Sequence, residues 1–120
     1  MKMYNTSKKI TLEKNEAQRI NNSGNYYGQY MNGIHYFKVE GDGNNLLFIV
    51  DNERSSDGSF VIKAADNVFC GGDKVFNVPM ASISYIYLEG SPYIQQSGEY
   101  KGNILVSGDE AMSFTVVEML

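Results

Sequence analysis

The chain contains one histidine and one cysteine, the residue types that most readily serve as a general base near neutral pH and as a thiol nucleophile. A histidine acts as a general base only where a nucleophile lies within hydrogen-bond reach, and Cys70 is the single thiol. His35 lies in the apolar-rich segment Ile34–Lys38, on the same face as Phe37, which is typical of a packing residue. Cys70 follows two apolar residues and precedes two glycines, without the local pattern of a cysteine protease. We therefore expect no catalytic site.

Several acidic residues fall in the predicted loops between strands. They are Glu40, Asp42, Asp51, Glu53, Asp57, Asp66 and Asp73. Calcium needs roughly six to eight oxygen ligands, and the stretch Asp42–Leu46 begins like a calcium loop but carries leucine at its fifth position. No spacing marks a glycosidase pair of carboxylates, and no nucleophile elbow, phosphate loop or dinucleotide fingerprint is present. We interpret these acids as solvated turn residues and expect no metal, no cofactor and no enzymatic activity.

The nine tyrosines are the main candidates for binding. Tyrosine combines an apolar ring with a polar tip and recurs at protein interfaces, although it also suits strands that bind nothing. The tyrosines gather around the first predicted hairpin and around the late strands. The candidate binding residues are Tyr26, Tyr27, Tyr30, Tyr93 and Tyr100. A protein partner or a glycan would suit them, and the absence of tryptophan weakens the glycan interpretation.

Short apolar runs separated by turns rich in glycine and asparagine must position these side chains. Asn32-Gly33, between Tyr26–Met31 and Ile34–Glu40, predicts a two-residue hairpin because both turn positions need positive φ. The runs leave almost no room for crossover helices. They predict one all-β domain over residues 1–120, an antiparallel β-sandwich of jelly-roll type or a small barrel. We expect residues 1–8 to form a flexible N-terminal arm.

Further segments carry specific predictions. Leu46–Val50 does not alternate, which predicts a central strand covered on both faces. Ile83–Leu88 is strongly β-prone and places Tyr85 and Tyr87 on one face. Lys8–Glu13 alternates polar and apolar residues, which predicts a strand. Leu12, Glu16 and Ile20 are spaced four residues apart, so a short helix over Leu12–Ile20 stays an alternative.

Length and charge exclude several classes of function. A chain of 120 residues with 42% apolar and 20% charged residues can build one core. Its fourteen acids against ten bases give a net charge of -4, which argues against nucleic-acid binding. No signal peptide is recognisable, and the longest apolar run, Leu46–Val50, is far shorter than the roughly 20 residues that span a bilayer. We expect a protein made in the cytoplasm that binds neither nucleic acid nor membrane.

Three passages give the chain a likeness to a known group of proteins. The first is Lys9–Ala17, the second combines Gly58–Ile62 with Tyr85–Gly90, and the third is Gly102–Gly108 followed by Phe114–Glu118. In these passages the chain resembles the small all-β virion proteins of tailed bacteriophages, such as capsid decoration proteins and small tail or neck components. The resemblance implies a non-enzymatic virion protein, made in the host cytoplasm, that binds other virion subunits. It assigns no role to any single residue.

We therefore expect a structural or interaction module that buries a tyrosine-rich, weakly charged face against other assembly proteins. Exposed edge strands could also pair across subunits, so a homo-oligomer or a larger assembly is expected. The segments before Ile10 and after Phe114 are expected to become ordered only on assembly. The alternative is a carbohydrate-binding module that uses surface tyrosines.

Overall fold

The computed structural model of the chain describes residues 7–12, 28–31, 33–66, 72–109 and 112–120. These residues form β-strands and one short turn of 3-10 helix, so the predicted all-β sandwich is confirmed. The elements are β1 Ser7–Leu12, β2 Gly28–Met31, β3 Ile34–Lys38, β4 Leu46–Asn52, β5 Gly58–Ile62, β6 Lys74–Val78, β7 Ser82–Leu88, the 3-10 turn Ser91–Tyr93, β8 Asn103–Gly108 and β9 Met112–Met119.

The strands form two sheets. One sheet has the order β1-β9-β4-β7 and the other has the order β2-β3-β8-β5-β6. With β2 set aside, this is the strand order of an eight-stranded jelly roll. The strand pairs are antiparallel except β1 with β9, which is parallel. The additional strand β2 accounts for this exception, because it reverses the chain once more between β1 and β3.

The first hairpin follows the prediction from the Asn-Gly pair. β2 and β3 are antiparallel, with Met31 opposite Ile34 and Gly28 opposite Phe37. Gly33 has φ +82°, the left-handed conformation that a tight two-residue turn demands and that glycine adopts without steric cost. Within its sheet, β3 lies between β2 and β8, and β8 is the central strand.

The core lies between the two sheets and draws buried side chains from both. Its members are Phe37, Leu46, Phe48, Val50, Phe60, Ile62, Val78, Leu88, Ile104, Val106, Met112, Phe114 and Val116. Aromatic pairs join the layers edge to face: the ring centroids of Phe37 and Phe48 lie 6.0 Å apart, and those of Phe60 and Phe114 lie 5.2 Å apart. This packing gives the sandwich a rigid interior.

The surroundings of β4 follow the sequence prediction only in part. β4 is central, as expected, but only alternate residues are fully buried, and Leu47 and Ile49 on the other face are half-buried. One face of β4 therefore packs in the core and the other lies on the outer face of the sheet. β6 is an edge strand that ends at Val78, directly before Pro79, as the missing N–H of proline requires.

The C-terminal segment is an inner strand of the sandwich. β9 lies between β1 and β4 and pairs with β4 from Met112 to Glu118. The expectation that residues after Phe114 order only on assembly is therefore wrong, since this segment fills the centre of a sheet. At the other end, Ser7 and Lys8 belong to β1, whereas residues 1–6 of the expected N-terminal arm lie outside the described residues. Residues 13–20 of the alternative helix lie outside the described residues.

Candidate interaction surface

The outer face of β7 carries large side chains that are open to solvent. Ile83, Tyr85 and Tyr87 are 55%, 68% and 69% exposed, whereas the alternating residues of the strand turn inward. The inward set includes Ile86, which packs against the core, and Leu88, which belongs to it. The period-two alternation of a strand thus divides β7 into an anchored face and an exposed aromatic face.

The exposed apolar surface extends beyond β7 into the turn before it. Met80 is 56% exposed. Val75 of β6 is also exposed, but it precedes Phe76 and Val78, which pack in the core, so it faces outward from the other sheet. We call the exposed residues Met80, Ile83, Tyr85 and Tyr87 the β7 patch. The whole stretch of residues 75–88 contains no charged residue. The β7 patch is therefore both apolar and neutral, on a chain of net charge -4.

Hydrogen bonds hold the turn that presents Met80. The Met80 N–H donates to Asp57 Oδ1 at 2.9 Å, and the Ala81 N–H donates to the carbonyl of Arg54 at 3.1 Å. The Ser82 hydroxyl donates to the carbonyl of Pro79 at 2.7 Å. Ala81 adopts a φ of +50°, which is uncommon outside glycine. The turn is thus fixed by its neighbours on both sides.

The ring of Tyr87 is oriented by a hydrogen bond. Its hydroxyl donates to the side-chain oxygen of Asn45, in the turn before β4. With its polar tip satisfied, the ring presents its apolar body to solvent. A side chain fixed in this way loses less conformational entropy when a partner covers it.

β7 is also the outermost strand of its sheet among the described residues. In an antiparallel ladder the backbone groups of alternate residues point to opposite sides of the strand. The Met119 N–H donates to the carbonyl of Asn45, so the odd-numbered residues of β4 bond to β9 and the even-numbered ones bond to β7. Since Phe48 lies opposite Ile86, the even-numbered residues of β7 bond to β4. The backbone groups of Ile83, Tyr85 and Tyr87 therefore point to the open edge.

The described tyrosines among those selected from the sequence lie outside the β7 patch. Tyr93 is half-buried in the 3-10 turn and packs against the core. Tyr100 is half-buried, and its ring centroid lies 5.2 Å from that of Tyr36. Tyr26 and Tyr27 lie outside the described residues, and of Tyr30 the structure gives only its place in β2, opposite His35. The described members of this group do not come together on one surface with Tyr85.

Two features of the sequence indicate the β7 patch, although the residue types by themselves do not. Tyr85 and Tyr87 alternate with Ser84 and Ile86, so both rings must lie on one face. The absence of charge from residues 75–88 is a second signal. What the sequence does not show is that β7 ends its sheet, because strand order depends on contacts between distant segments.

His35 is a packing residue, as predicted. It is fully buried, and its ring centroid lies 4.6 Å from that of Phe114 and 6.5 Å from that of Phe37. Burial lowers the pKa of His35 from 6.5 to about 4, so the ring is neutral at pH 7. Cys70, considered together with it in the sequence, lies outside the described residues.

A cleft of about 500 Å³ lies between the end of β6 and the start of β5. Its two carboxylates are those of Asp57 and Asp109. Asp109 accepts the Ser59 N–H at 2.9 Å and pairs with Arg54 at 2.9 Å, while Asp57 accepts the Met80 N–H. Both carboxylates therefore stabilise loop structure.

Other loop acids also bond to the backbone. Asp42 accepts the Asn44 N–H, Asp73 accepts the Ala64 N–H at 2.8 Å, and Asp66 accepts the Gln96 N–H. Hydrogen bonds from the Ser97 hydroxyl and the Gln96 N–H lower the pKa of Asp66. Within the part of the chain that the structure describes, no three histidine, cysteine or acidic residues gather into a metal-binding group.

No family model, curated protein or solved structure matches the chain. Among the described residues, no helix has the length and apolar character to cross a membrane.

Proposed function

We propose that the protein is a non-enzymatic structural or interaction module of a larger assembly, such as a tailed-bacteriophage particle, and that the β7 patch binds a neighbouring subunit. The observation that carries this proposal is the concentration of exposed apolar side chains on an uncharged stretch of one edge strand. Contiguous apolar surface of this kind marks interaction sites, whereas isolated exposed apolar residues are ordinary.

Burial of the β7 patch has a substantial driving force. Covering the exposed two-thirds of one tyrosine removes roughly 130 Å² from water, which contributes on the order of 3 kcal/mol before the entropic cost of association. Tyr85 and Tyr87 are equally exposed, and Ile83 lies beside them. Tyrosines in such a cluster commonly dominate the binding energy of an interface.

The fold and the charge suit this role. Jelly rolls occur in viral capsid domains as well as in lectins, so the fold is compatible with assembly, although a fold alone assigns no function. The net charge of -4 keeps free chains soluble and apart. The β7 patch itself carries no charge, and Asp51, opposite Ile83, lies at its border. Contact there therefore meets less repulsion than on the rest of the surface.

Site-specific photocrosslinking tests the proposal. With p-benzoylphenylalanine in place of Tyr85, irradiation of cells that make the native assembly should give a discrete adduct whose mass identifies a protein. The matched control carries the same crosslinker in place of Glu99, which is exposed in a loop away from β7. Equal or weaker crosslinking from position 85 than from position 99 would overturn the assignment of the β7 patch as the binding surface.

A further inference from the structure

We infer that the partner of the β7 patch is a second copy of this chain, joined by antiparallel pairing of two β7 strands about a two-fold axis at Tyr85. The inference rests on the proposed function, since it names the occupant of the same surface. It would merge two four-stranded sheets into one continuous sheet.

The backbone at the open edge has the alternation that such pairing needs. The N–H and C=O groups of Ile83, Tyr85 and Tyr87 point away from β4, as the ladder between β4 and β7 requires. Tyr85 is the central residue of Ser82–Leu88. A two-fold axis there sets Tyr85 opposite its own copy and Ile83 opposite Tyr87 of the second copy. All three positions are then hydrogen-bonded pairs.

The side chains match in the same register. Each copy brings Tyr85 against Tyr85, and Ile83 against Tyr87, on the outer face. Aromatic pairs and pairs of an aromatic with a β-branched residue are among the favourable cross-strand combinations. Glu89, the first charged residue after β7, would face Ala81 of the second copy. No like charges therefore meet across the axis.

β7 lacks the features that prevent an edge strand from pairing with a strand of another molecule. Monomeric β-proteins protect their edges with lysine, proline, bulges or very short strands. β6, the edge strand of the other sheet on this side, begins with Lys74 and is followed by Pro79. β7 is seven residues long and contains neither lysine nor proline. Its open edge is thus suited to pairing.

Charge favours a copy of this chain over a charged partner. The stretch from Val75 to Leu88 is neutral, so it offers no electrostatic attraction to a strongly basic or acidic surface. Two identical neutral edges meet without repulsion, whereas elsewhere the net charge of -4 keeps two copies apart. This restricts self-contact to one region.

Sedimentation velocity over a range of protein concentrations tests the inference. One strand pair with a few side chains lies at the low end of interface sizes, so we expect a dissociation constant on the order of micromolar. Tyr85→Lys places two like charges at the axis and should weaken the dimer about tenfold or more. Met119→Lys, which adds the same charge at an exposed apolar residue of β9, should leave the dimer unchanged.

Charge reversal tests the register itself. Tyr85→Glu should weaken the dimer as Tyr85→Lys does, because each copy again meets its own charge. An equimolar mixture of the two variants should associate more tightly than either alone, since lysine then faces glutamate at the axis. A mixture that associates no better than the separate variants would overturn the position of the axis.

The outcomes separate this inference from the proposed function. A wild-type chain that stays monomeric through the millimolar range would overturn the second copy as partner. A discrete adduct to another protein from position 85 would then still support the β7 patch as an interface. Dimerisation that Tyr85→Lys leaves unaffected would instead place the contact elsewhere and overturn the inference.

Discussion

The ammonium group of Lys9 pairs with the carboxylate of Glu118 inside the sandwich, where both side chains are shielded from solvent. The same carboxylate accepts the backbone N–H groups of Glu40 and Gly41 at 2.8 Å and 2.7 Å. This one group therefore joins β1, β9 and the chain after β3. Burial by itself raises the pKa of Glu118, but the hydrogen bonds from Lys9 and the two N–H groups outweigh it and lower the pKa overall.

Removing one partner of this pair should destabilise the fold strongly. Glu118→Gln leaves the Lys9 ammonium buried without its counter-charge, which typically costs about 3–5 kcal/mol. The double variant Lys9→Met/Glu118→Gln should be less destabilised, because no buried charge remains and the glutamine oxygen still accepts from the backbone. Urea unfolding followed by circular dichroism measures both free energies. Glu89→Gln, at an exposed position, is the control and should change little.

The same ion pair predicts how stability depends on pH. Because the folded pKa of Glu118 lies below its ordinary value of 4.5, its contribution is complete above that value and is lost as the pH falls through the folded pKa. Protonated glutamate resembles glutamine, so the free-energy gap between wild type and Glu118→Gln should narrow in acid. A gap that stays constant from neutral to strongly acidic pH would contradict the pairing.

The burial of His35 should also make the fold less stable in acid. Its pKa of about 4 in the fold lies below the ordinary 6.5, so the unfolded chain binds the extra proton first as the pH falls. Stability is complete above pH 6.5 and should decrease toward pH 4 by up to about 3 kcal/mol. As the chain has one histidine, its imidazole resonances report this pKa without ambiguity. A midpoint near 6.5 would show that the ring is solvated and contradict its burial.

Gly90→Ala should destabilise the loop that follows β7. A methyl group there would lie 2.6 Å from Leu46 Cδ1 and 2.9 Å from the carbonyl oxygen of Gly43, which accepts the Gly90 N–H. The Gly43 backbone cannot move aside as a flexible side chain can. We therefore expect Gly90→Ala to lower the free energy of unfolding by about 2 kcal/mol. Gly72→Ala, where a methyl group meets open space, is the control in thermal unfolding. Equal melting temperatures for the two variants would contradict the predicted clash.

The alternative of a carbohydrate-binding module makes a different prediction for the tyrosines. Tyr100 is half-buried with its ring against Tyr36, and Tyr93 packs on the core, so neither resembles an open stacking platform. We expect titration with oligosaccharides to leave the resonances of Tyr93 and Tyr100 unshifted. Shifts that saturate with sugar at these residues would favour the carbohydrate-binding module.

The sequence predicted those features of the fold that depend on residues close together in the chain. Alternation and the turn at Gly33 are local, so the β-rich fold and the first hairpin follow from short stretches. The exposed face of β7 and the pair between Lys9 and Glu118 depend on strand order. Lys9 and Glu118 are 109 positions apart in the sequence, and no local pattern predicts that a lysine of β1 points into the sandwich. For the same reason, the sequence did not predict that β7, the strand of Tyr85, has an open edge.

Amide hydrogen exchange in β7 tests most directly whether this edge becomes covered. In dilute solution, where copies are apart, the amides of Ile83, Tyr85 and Tyr87 should exchange rapidly while those of Ser84 and Ile86, bonded to β4, exchange slowly. At high concentration the first three should become protected, with Tyr85 among them. If these three amides exchange equally fast at both concentrations, or are already protected when dilute, β7 is not an open edge that a second copy covers.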